Sequence, residues 1–65
     1  MKIVVNGQEA EVQPGTLATA LVELGYGAAK VATAVNEAFV PAAARGALEL
    51  RAGDRVEIVA PQQGG

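Results

Sequence analysis

The sequence predicts an α+β domain in which one main helix packs on one face of a mixed sheet of four to five strands. Three stretches carry that prediction. Lys2-Ile3-Val4-Val5 is dominated by β-branched residues, which fit a pleated, half-buried surface. Leu17, Ala20, Leu21 and Leu24 recur at helical spacing and so share one side of a helix. Arg55-Val56-Glu57-Ile58 alternates polar and apolar residues before Val59, the pattern of a strand with one buried face.

The remaining elements fall between these anchors. Asn6-Gly7 follows the first strand, and both residues accept the positive φ that a type I′ hairpin turn requires. Glu9-Ala10-Glu11-Val12 reads as the return strand, and Pro14-Gly15 ends it. Thr16 is placed to cap the helix N-terminus, and Gly25 stands where a C′ glycine belongs. Val31 to Val35 reads as a third strand ending at Asn36, and Phe39-Val40 as a short extended piece stopped by Pro41. The Ala-rich run from Ala42 to Leu50 has no decisive period; Leu48-Glu49-Leu50 fits a bridge or a short strand. Ala52-Gly53-Asp54 is a turn into the last strand, where Val56 and Ile58 face the core and Glu57 and Val59 face away. One helix on one face of a sheet satisfies two-layer packing. With the first and last strands as parallel neighbours in the middle, the arrangement is a β-grasp, the ubiquitin-like fold. A fold by itself does not give a function.

Composition narrows the function classes. The chain has 65 residues, 51% hydrophobic and 18% charged, with no cysteine, so the core must come from aliphatic side chains without help from disulfides. It also lacks His, Ser and Trp. The common nucleophiles and the neutral-pH proton carrier are missing together, and the expectation is a protein acted on by enzymes, not an enzyme. Its seven carboxylates are scattered, with no pair suggesting metal binding. Net charge is −2, and Lys2, Lys30, Arg45, Arg51 and Arg55 are dispersed; nucleic acid, which needs clustered cations, is not an expected partner. No apolar stretch approaches the ~20 residues of a membrane span, and no signal-peptide pattern opens the chain. The expected location is the cytoplasm.

The chain divides into a domain over residues 1–60 and a tail over 61–65. Pro61 has no N–H with which to extend a central ladder, so Pro61-Gln62-Gln63-Gly64-Gly65 is expected to leave the sheet with a reach of roughly 17 Å. Two glycines let the backbone thread a channel too narrow for side chains. They also leave the Gly65 carboxylate uncrowded, and attack by that carboxylate on the α-phosphate of ATP would give an acyl-adenylate. A frayed terminus, the ordinary state of chain ends, is the competing reading.

Over essentially its full length the chain resembles the ThiS-type sulfur carriers of thiamine biosynthesis. The resemblance is carried by Met1-Lys2-Ile3-Val4-Val5-Asn6-Gly7, the Thr16-Leu17 helix start with Leu21 and Leu24-Gly25, Val35-Asn36 and Phe39-Val40-Pro41. Gly53 to Val59 and the ending Gln63-Gly64-Gly65 complete it. One departure is Glu37-Ala38 after Asn36, where the family often has a glycine; it leaves the type of that turn open.

The resemblance implies a carrier that binds no cofactor of its own. An E1-like adenylyltransferase (ThiF type) using MgATP would activate Gly65, a persulfide would supply sulfur, and thiazole synthase (ThiG type) would accept it from the thiocarboxylate. Related carriers serve molybdopterin or cysteine synthesis, and a passive β-grasp interaction module is a reading of another class. Val59 and Ala60, beside the tail, are candidates for partner docking. Tyr26 and Phe39 are expected to pack in or at the edge of the core, with Phe39 the better candidate for a partner contact. Asn36 reads as a turn former, and Asp54 and Arg55 as shapers of a turn and a strand end.

Overall fold

The computed structural model describes residues 1–60 of the chain. Strand β1 (Lys2–Val5) turns back into β2 (Gln8–Glu11) with Val5 opposite Gln8. The two residues between them, Asn6 and Gly7, have φ of 50° and 84°, the pair of positive values that makes a type I′ turn. Val12, just past β2, is buried, which extends the in-out alternation expected of Glu9–Val12 by one residue beyond the strand.

Helix α1 (Leu17–Glu23) begins as its sequence dictates: Thr19 N donates to Thr16 Oγ1 at 3.2 Å. At the other end Tyr26 N donates to Leu21 O at 2.7 Å and Gly25 N to Val22 O at 3.1 Å, with Gly25 at φ 96°. That is the Schellman arrangement, and it depends on a residue that takes a left-handed conformation without strain. Leu17, Ala20 and Leu21 are buried and Leu24 is half-buried, so the apolar stripe is the face turned to the sheet.

Strands β3 (Ala32–Val35) and β4 (Ala38–Val40) form a second two-residue hairpin, Val35 opposite Ala38. The open question of its turn is resolved: Asn36 and Glu37 both have positive φ, 49° and 72°. Glu37 therefore occupies a position of the glycine type.

Next comes a 3-10 helix over Ala42–Ala47, which the alanine-rich sequence did not announce. Its bonds span three residues, as in Ala44 N to Pro41 O at 2.9 Å. The segment is tied down by one cation. Arg45 Nε donates to Thr33 Oγ1 at 3.0 Å and its Nη2 to Val31 O at 2.6 Å. Thr33, a buried polar residue, donates in turn to Val40 O at 2.8 Å. The expected bridge after it is present, pairing Glu49 with Thr16.

Strand β5 (Arg55–Val59) inserts between the two hairpins, parallel to β1 and antiparallel to β3, giving the order β2-β1-β5-β3-β4. Its Val56 and Ile58 join Ile3, Val12, Leu17 and Leu21 in the core, while Glu57 and Val59 are exposed. This is the β-grasp arrangement expected from the sequence. Among the described residues no helix is long and apolar enough to cross a membrane.

Candidate functional site

With α1 covering one face of the sheet, the other face is open, and its two halves differ. On the β1–β2 side it carries charged residues, including a surface pair between Lys2 Nζ and Glu9 Oε1 at 3.8 Å. On the β5–β3–β4 side it is mostly apolar. Period-two alternation places Thr33 and Val35 inward and leaves Ala32 and Ala34 outward. Cross-strand register then puts Phe39, Ala34 and Glu57 in one row, with Val59 beside Ala32 in the next. The small alanines leave a shallow depression, walled by Phe39 and Val59. Among the described residues Glu57 has no ion-pair partner, so the patch holds one free carboxylate.

Phe39 is 69% exposed and Val59 61%. For Phe39 this overturns the expected packing role: β4 turns its Val40 inward, so the preceding side chain must face solvent. Tyr26 is half-buried against the core, as expected. Val59, Ala60 and Phe39, the docking candidates, are all exposed, and Val59 and Phe39 flank one depression. Pro61, Gln62, Gln63, Gly64 and Gly65 lie outside the described residues.

The residues around the strand ends are held by amide side chains. Asn36 Oδ1 accepts from Arg55 N at 3.0 Å and its Nδ2 donates to Asp54 Oδ1 at 3.0 Å. Asp54 Oδ2 accepts from Arg51 N at 2.8 Å. Asn36 and Asp54 are thus the turn and strand-end formers expected. Asn6 has a second role that turn propensity did not signal, since its side chain bonds both Ile58 N and Ile58 O. Glu57 faces away from the core as expected, whereas Ala32 and Ala34 were missed as members of the open face; the alternation of β3 was the signal that contained them. Among the described residues no three His, Cys, Asp or Glu side chains converge to hold a metal ion.

Among the described residues one α-helix grasped by a five-stranded mixed sheet defines a ubiquitin-like β-grasp domain, with an exposed, mostly apolar half-face beside the end of its last strand. The ThiS family model matches residues 3–65, and the chain belongs to the ThiS family. It is similar in structure to the thiamine biosynthesis protein (ThiS) from Geobacter metallireducens, with a TM-score of 0.85, 26% identity and full coverage of both chains. No curated protein matches it in sequence.

Proposed function

We propose that this chain is a sulfur carrier in thiamine (thiazole) biosynthesis, and that Gly65 is the residue that holds the sulfur. The observation that carries the reading is the family match, which runs through Gly64 and Gly65 over residues 3–65. Three further facts support it. The likeness to a thiamine biosynthesis protein extends over the whole chain. The sequence has no cysteine, so sulfur must come from a partner. The apolar half-face lies on the strand that leads into residues 61–65.

In the proposed cycle the Gly65 carboxylate attacks the α-phosphate of MgATP bound by an E1-like adenylyltransferase of the ThiF type. Pyrophosphate leaves, and the acyl-adenylate carries a carbonyl open to attack. The terminal sulfur of a persulfide donor attacks that carbonyl and AMP departs. Reduction of the remaining S–S bond by a thiol leaves the thiocarboxylate, which delivers sulfur to thiazole synthase of the ThiG type. The carrier supplies no catalytic group. Phe39, Val59 and Ala60 dock the partners, while Pro61, Gln62, Gln63 and Gly64 pass the end of the chain into their active sites.

Intact-mass measurement of the chain purified from thiamine-producing cells tests this. A species in which one oxygen is exchanged for sulfur is expected, and it should vanish when Gly65 is deleted. If only the unmodified mass is found, even after incubation with the adenylyltransferase, MgATP and a persulfide, the chain is a passive interaction module.

A further inference from the structure

The ladder between β1 and β5 continues past the point where β1 ends. Val4 N donates to Asp54 O and Asn6 N to Val56 O, both at 2.9 Å. The next acceptor in that series, Ile58 O, receives the side-chain Nδ2 of the same Asn6 at 3.0 Å. Ile58 N completes the exchange by donating to Asn6 Oδ1 at 2.8 Å. By then the backbone has already turned away, since Asn6 and Gly7 are the turn residues. A carboxamide offers an N–H and a C=O from one plane, as a peptide unit does, so it can stand in for strand that is missing. On its other side β5 pairs with β3 as far as Val59 opposite Ala32. The last residues of β5 are therefore held from both sides, and Ala60 is the first residue beyond the strand.

We propose that Asn6 is a positioning residue: its side-chain amide clamps Ile58 and so holds the end of β5, the point from which the chain continues past Ala60, in place for an activating partner. The inference rests on the carrier reading above. Fixing one residue's backbone is worth about a factor of ten in population. A loosened strand end would leave Phe39 and Val59 on the docking face, at whose depression Asn6 is one lining residue, while fewer docked encounters bring the carboxylate to the nucleotide. Affinity and turnover then separate.

The turn and the clamp can also be separated. Asn6→Gly keeps the positive φ and removes the side chain; Asn6→Asp keeps the acceptor and loses the donor. In Asn6→Gly, hydrogen exchange at the Ile58 amide should quicken about tenfold or more, while core amides such as that of Val35 keep their protection. With the E1-like adenylyltransferase and MgATP, kcat for pyrophosphate release should fall about tenfold, a larger factor than any rise in Kd from losing a side chain that lines the depression. Asn6→Asp still accepts from Ile58 N but no longer donates to Ile58 O, so it should show a smaller quickening at Ile58 and a smaller fall in kcat than Asn6→Gly. If every core amide quickens equally, Asn6 only stabilises the fold and the proposal is overturned. Local quickening with unchanged kcat overturns it as well. A wild-type chain that the adenylyltransferase does not activate refutes the carrier reading instead, and Ile58 exchange then decides alone whether the clamp exists.

Discussion

The two hairpins of this sheet contain a matched pair of turns, and one of them is strained. Asn6-Gly7 and Asn36-Glu37 are both two-residue loops with positive φ throughout, yet only the first has glycine in second place. A residue with a Cβ in the left-handed region costs about 1–2 kcal/mol. Replacing Glu37 by glycine removes that cost but adds about 0.5–1 kcal/mol of unfolded-chain freedom. The expected net gain is ~0.5–1 kcal/mol, which in a domain of this size raises Tm by about 3–6 °C. Thermal unfolding followed by circular dichroism measures it directly. Glu37→Ala is the control, because it removes the carboxylate and keeps the Cβ; it should leave Tm nearly unchanged. Gly7→Ala, at φ 84° and with nothing within 4 Å of the added carbon, should cost about 1 kcal/mol from backbone strain alone. If Glu37→Gly and Glu37→Ala shift Tm equally, the carboxylate and not the backbone is responsible, and the reasoning fails.

Further outcomes follow from side chains already described. Phe39→Asp and Val59→Asp alter exposed positions and should change unfolding free energy by no more than about 0.5 kcal/mol. Each should weaken binding to the adenylyltransferase about tenfold or more if the face docks as proposed, which calorimetric titration would reveal; unaltered Kd for both would remove this face from the docking scheme. Arg45→Met keeps the apolar stem but loses the bonds to Thr33 Oγ1 and Val31 O, at an expected cost of about 2 kcal/mol in urea unfolding. Arg45→Lys should recover only part of it, because a single ammonium cannot reproduce the guanidinium fork.

Elements with strong local chemistry were legible in the sequence. Thr16 and Gly25 bracket α1 as capping rules require, Asn6-Gly7 makes its hairpin, and the alternation of β5 places Val56 and Ile58 in the core. The 3-10 helix was not legible, because alanine favours helix in general but the six residues Ala42–Ala47 carry no cap or apolar period that would separate 3-10 from α-helix. What holds it is Arg45 reaching Thr33 of β3 and Val31 just before that strand, 12 and 14 positions earlier, a tertiary cause without a local pattern. The exposure of Phe39 was misread for a related reason. A lone aromatic suggests core on hydrophobicity, but in a three-residue edge strand the parity of Val40 decides, and parity is visible only once the register with β3 is known. In the same way, the open face is spread over three strands whose neighbours are set by topology, so its members are dispersed along the chain.

The central place of β5 governs when the domain can exist during synthesis. Residues of β1–β2 and of β3–β4 can each close their own hairpin early, but neither hairpin touches the other in the ladder until Arg55–Val59 slides between them. Without that strand the two hairpins are ribbons that no ladder joins. A chain released before that point has no strand to unite them and is open to proteolysis. Only a chain extended through β5 can present the face shared by β5, β3 and β4.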